Sequence, residues 1–240
     1  MDEESLRTDP FKDAPMLTWT GEIGRVLSAT LEGGAKVAGF DMVIPKSIEQ
    51  SEIPFGEGTL GEKVRGFDRD FLRALAGAAV NGKVVLGEIL GGNQPVRPSP
   101  GQRVAVRQQQ NIRPLNVHVD SDDIVRRLPL GFTVNGTTVP SMAVELASRA
   151  LGAAPEFDER GRLTLAGYRV PGRVPNTMTL NFEGGSGDIP TFSFADLRAC
   201  AVTNDKDYFR RWFAGKVVIF GSVLDIDDRR QDFQIDDDVV

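Results

Sequence analysis

The chain has 240 residues, 40% apolar and 26% charged, with a formal net charge of −6. That is enough apolar chain for one full core. The net negative charge, with Lys and Arg scattered among acids, argues against a nucleic-acid partner, which needs clustered cations. A single cysteine, Cys200, excludes an internal disulfide and a thiolate zinc cage, and suits either a periplasmic or a cytoplasmic home. No apolar run approaches the roughly 20 residues needed to span a bilayer. The start at residues 1–4 carries neither a basic region nor an apolar core of a signal peptide. The chain as it stands is therefore expected to be soluble, which is compatible with a domain excised from a membrane protein.

In chain order, residues 1–16 are polar and punctuated by proline, and read as a flexible lead-in. Thr20 is placed to cap a helix whose Ile23, Val26, Leu27 and Thr30 share one face, closed by Gly33-Gly34. Residues 35–44 run apolar into Pro45, as a buried strand that proline ends. Residues 45–66 read as a long loop. Asp68 is placed to cap a second helix, with Leu72, Leu75, Ala76 and Ala79 at helical spacing and an end near Gly82. Residues 83–90 form the next strand, and residues 91–114, rich in Gly, Pro and Gln, a second long irregular connection. Loops of this length inside a compact domain are usually functional or mobile.

An acidic turn at 120–123 leads into a strand carrying Arg126 and Arg127. Asn135-Gly136 is the dipeptide that a two-residue hairpin turn prefers, since both central positions need positive φ. Ser141 to Leu151 reads as an amphipathic helix with Gly152 as C-cap. Met142, Ala143, Leu146 and Ala150 share one face, and Glu145, Ser148 and Arg149 another. A more exposed hairpin is expected over 153–176, a strand over 177–182, a helix capped by Ser193 to about Val202, a short helix over 208–213 and a last core strand over 216–222. Helix-to-strand alternation with continuous apolar strands predicts an α/β fold: a mostly parallel central sheet flanked by helices, with an inserted antiparallel hairpin region.

Chemistry-bearing patterns are sparse. His118 alternates with Val117 and Val119 as in a strand, and Cys200 lies late in an amphipathic helix, so a Cys-His nucleophilic pair is disfavoured. Asp120-Ser-Asp-Asp superficially resembles a calcium loop, but Val125 and Gly131 occupy the places where that loop needs glycine and glutamate. A solvated turn paired with Arg126 or Arg127 is the better reading. No phosphate-binding or dinucleotide glycine motif is present, and Gly184-Gly-Ser-Gly187 reads as a plain turn. No cofactor or metal is expected. The candidate ligand residues are Asp41, Glu88, Asn181, Glu183 and Ser222, polar positions in or just beyond apolar strands, because open α/β sheets bind ligands outside the carboxyl ends of their strands. With strands drawn to Ile44 and Leu90, Asp41 and Glu88 stand short of their strand ends, so a structural role for either carboxylate stays open.

Four ordered segments carry a family resemblance: residues 35–41; residues 82–87; residues 120–130 with 140–147; and residues 181–184 with 192–197 and 215–221. Across roughly 17–225 the chain resembles the extracytoplasmic sensory domain of the second CHASE type (cyclase- and histidine-kinase-associated sensing extracellular). It departs from that pattern before Leu17-Thr-Trp-Thr20 and in an acidic ending after Gly221 without the expected threonine-proline. The resemblance implies a single sensory domain over 17–225, and an acidic tail at 226–240 leading toward a membrane segment. It further implies tethering outside the cytoplasmic membrane and control of a cytoplasmic nucleotide cyclase or kinase. The expected partners are an unknown small molecule or a periplasmic protein, and a second copy of the chain. Two rival readings are a small α/β hydrolase or transferase with Asp41 or Glu88 as general base, and a protein-interaction module without a small ligand.

Overall fold

The computed structural model describes residues 2–91, 94–172, 174–181 and 188–222. Its centre is a parallel sheet of four strands. Strand β1 (Val37–Asp41) is followed by a small β2–β3 hairpin (Pro54–Phe55 and Gly58–Thr59), then by β4 (Val84–Glu88) and β5 (Ile112–Pro114). The fourth strand, β13 (Val217–Gly221), comes from the other end of the chain, and the sheet order is β13-β1-β4-β5. Strands β1 and β4 lie between neighbours and are buried on both faces, which is why they read as unbroken apolar runs.

Alternation along the strands separates two cores. Ala38, Phe40, Val84, Leu86, Ile112 and Phe220 join the larger one, covered by α1 (Thr20–Glu32), α3 (Arg69–Val80), α6 (Phe194–Val202) and α7 (Lys206–Phe213). Val37 and Val85 turn the other way, against Met142 and Leu146 of α5 (Met142–Leu151). Close approach depends on glycine at two contacts. A Cβ at Gly24 would lie 2.8 Å from Phe71 Cα where α1 crosses α3, and one at Gly39 would lie 2.7 Å from Leu146 where α5 crosses β1.

The α1 face forms as its periodicity predicts, with Ile23, Val26, Leu27 and Thr30 buried. The inward face of α3 is rotated from the expected one: Phe71, Leu75, Ala78 and Ala79 are buried. Asp68 stands at the N-cap position of α3, but its carboxylate does not cap that helix. It accepts hydrogen bonds from Thr20 Oγ1 at 2.6 Å and Ser47 Oγ at 2.5 Å, tying the start of α1 to the chain leaving β1.

Within residues 2–16, expected as a flexible lead-in, Phe11 is anchored in the core: it is 1% exposed and its ring lies tilted against Trp19 and Phe194, with centroids 4.5 and 5.2 Å away. The expected capping of α6 by Ser193 is also replaced. Asp2 accepts from the Phe194 amide at 2.9 Å, and Ser5 Oγ from the Ala195 amide at 3.0 Å, so free helix-end amides are satisfied from the other end of the chain.

Both long connections contain structure. The one after β1 holds a capping-box helix, α2 (Leu60–Lys63), and the one after β4 holds α4 (Pro100–Ala105) and the edge strand β5. A three-residue strand interrupted by Arg113 and ended by Pro114 has too little apolar pattern to announce itself.

The antiparallel region lies beyond α5. Strand β6 (Arg127–Pro129) is followed by the β7–β8 hairpin (Gly131–Val134 and Thr137–Pro140), whose turn residues Asn135 and Gly136 have φ of 50° and 76° as that turn requires. Strands β9 (Glu156–Phe157), β10 (Leu163–Leu165) and β11 (Tyr168–Arg169) form a three-stranded sheet where one hairpin was expected. Strand β12 (Thr177–Thr179) pairs antiparallel with β6 and stays outside the parallel sheet. Leu130, Val144 and Leu163 form a third core that anchors this region to the outer side of α5. Sandwiched in this way, α5 also buries part of its polar face. Arg149 donates to the carbonyls of Gly82 and Val84, to Asn111 Oδ1 and to Glu145, while Arg113 Nε donates to Glu145 Oε2 at 2.8 Å.

Candidate functional site at the carboxyl edge of the parallel sheet

Asp41 and Glu88 are the last residues of β1 and β4, which corrects the longer strands expected for both. Asp41 pairs in register with Gly221, and Glu88 with Pro114, so one row of the sheet edge runs from Ser222 through Asp41 toward β5. The two carboxylates do not converge. Asp41 follows the alternation of Val37 and Gly39, toward α5, whereas Glu88 follows Val84 and Leu86, toward the larger core.

Their environments differ accordingly. Glu88 is 3% exposed, and its Oε2 accepts from Arg97 Nε at 3.1 Å and Gln109 Nε2 at 3.5 Å. These donors draw the chain after β4 across the sheet end, so Glu88 is a buried carboxylate satisfied by a cation. Asp41 reaches solvent and has neither hydrogen bond nor ion pair among the described residues. The surrounding strand ends still desolvate its carboxyl and push its pKa above the ordinary carboxylate value.

Of the other candidates, Ser222 directly follows β13 beside Asp41. Asn181 does not join this edge. It is exposed beyond β12, in the antiparallel region, because β12 pairs with β6. Glu183 lies outside the described residues. The structure thus brings Asp41 and Ser222 together, sets Glu88 on the opposite face and separates Asn181.

The acidic turn folds as an ion-paired turn. Asp120 accepts from Arg127 Nη2 at 2.5 Å and Arg126 Nη1 at 3.2 Å, and Arg126 grips Asp122 through two 2.7 Å bonds. The Arg127 and Arg126 guanidinium groups hold the Asp120 carboxyl below its ordinary value, and Arg126 does the same for Asp122. Among the described residues no group of three His, Cys, Asp or Glu side chains could hold a metal ion. His118 bridges to Arg127 in the antiparallel region, whereas Cys200 packs on the larger core at the other face of the sheet. Burial, with Asp205 and Asp196 nearby, pushes the Cys200 thiol pKa up, opposite to the shift an activated nucleophile needs.

Two surface recesses lie away from the sheet edge. One, of about 560 Å³, follows the α1–α3 groove past Gly24, Arg25, Arg73 and Gly77. The other, of about 580 Å³, lies in the antiparallel region and is lined by Arg160, Arg162, Arg169 and Asn176. Strand-end reasoning had no access to the latter. Its sequence signal is three arginines within ten residues of a short-stranded stretch, which by itself reads as a solvated surface.

The parallel sheet is thus closed by helices on one face and by a helix with an antiparallel module on the other. The family model for the CHASE2 domain matches residues 1–232, and the chain belongs to that family. CHASE2 is an extracellular sensory domain of signalling proteins and is not itself catalytic. Among the described residues no helix is long and apolar enough to cross a membrane. Comparisons with curated proteins and with solved structures return no match.

Proposed function

We propose that this domain is the periplasmic input module of a membrane-bound bacterial signal transducer, most simply a nucleotide (adenylate or guanylate) cyclase and otherwise a histidine or protein kinase. The observation that carries this reading is the CHASE2 match over nearly the whole chain. A ligand at the carboxyl edge would act by favouring one of two arrangements of the domain, and its difference in affinity for them would set the output. Asp41 is the centre of that edge, with Ser222 beside it. Its support is chemical: an unpaired carboxyl, already disfavoured in its charged form, gains most from a bound cation or hydrogen-bond donor. Glu88 serves this reading by holding Arg97 at the end of β4.

The domain acts as a homodimer in this proposal. Strand β13, which ends the sheet order among the described residues, supports it, since its Val217 and Ile219 side chains are exposed, Ile219 at 62%. The test is a membrane preparation of the protein encoded by the whole reading frame, assayed for cyclic-nucleotide synthesis and for autophosphorylation. A signal-dependent output that Asp41→Ala abolishes, with expression unchanged, is the expected result. An output identical with and without residues 1–222 would sink the input-module reading. Of the two carboxylates offered as general base in the rival hydrolase or transferase reading, Glu88 is already held by Arg97 and Gln109.

A further inference from the structure

We draw no further inference here: the strongest candidate, the face of strand β13 beside α5 where Val217 and Ile219 are exposed, carries nothing beyond the dimer already proposed, because nothing among the described residues shows what covers it.

Discussion

Asp41 carries a proton more tightly in the folded chain than in the unfolded one, because the strand ends desolvate its carboxylate and no cation faces it among the described residues. Its contribution to stability is therefore complete below the ordinary carboxylate value of 3.8 and fades as pH rises through the raised folded value. Asp41→Asn, neutral at every pH, should raise the melting temperature at pH 7 and leave it unchanged below about pH 3, where both side chains are uncharged. Thermal unfolding followed across that range checks the sign. Asp120 behaves in the opposite way. Its carboxyl is held down by Arg127 and Arg126, so the turn's ion pairs persist above the ordinary carboxylate value and are lost as pH falls through the lowered one. Carbon-detected NMR titration should place the Asp120 midpoint below that of a free aspartate, and Arg127→Gln should move it upward. The acidic-turn pairing was legible in the sequence because its partners lie within seven residues. The fates of Asp41 and Glu88 were not, since one depends on where a strand stops and the other on Arg97 and Gln109 arriving from a connection without pattern.

At the scale of elements, caps and polar anchors join pieces that are distant in sequence. The start of α6 is capped by Asp2 rather than by Ser193. Burial alone would raise the Asp2 pKa, but amide and hydroxyl donors from Phe194, Ser5 and Ser193 outweigh it and lower the value. Asp2→Ala should cost about 1 kcal/mol, the usual worth of a helix cap. Urea unfolding near neutral pH measures this, and the difference from the parent should vanish in acid, where the Asp2 carboxyl is protonated. A larger effect is expected at the polar side of α5. Glu145 is buried between Arg113 and Arg149, and removing it leaves two guanidinium groups facing each other. Glu145→Leu should cost about 3 kcal/mol, while joint replacement of all three residues by apolar ones should recover much of that loss. A double- and triple-mutant unfolding series tests both expectations. Helical periodicity marked Glu145 and Arg149 as the polar face of an amphipathic helix. It did not show that this face meets the start of β4, because periodicity reports which residues share a side and not what lies opposite.

At the scale of the whole molecule, the sheet is asymmetric in a way that matters for assembly. Helix α5 covers β1 and β4, while on the same face strand β13 leaves Val217 and Ile219 exposed. If this edge joins two copies, Ile219→Lys should convert a dimer into a monomer in light scattering and leave the circular dichroism spectrum intact, since charge on an edge strand opposes strand pairing. An unchanged dimer would move the interface elsewhere. The family's sensory role needs a domain able to hold more than one arrangement. In this architecture the antiparallel region meets the parallel sheet across α5 and a small third core, and directly where β8 touches β5.

The sequence by itself determined the parallel α/β frame, the helices over α1 and α5, the Asn135-Gly136 turn and membership of a sensory family. Each of these rests on local periodicity, a turn rule or an ordered set of short motifs. Only the tertiary structure decided that Phe11 belongs to the core, that β12 leaves the parallel sheet for β6, and that Asp41 and Glu88 point apart. It also brought Arg160, Arg162, Arg169 and Asn176 around one recess. The physical reason is the same throughout. Backbone propensity acts over a few residues, whereas burial, strand pairing and polar contacts are settled between segments up to 192 residues apart.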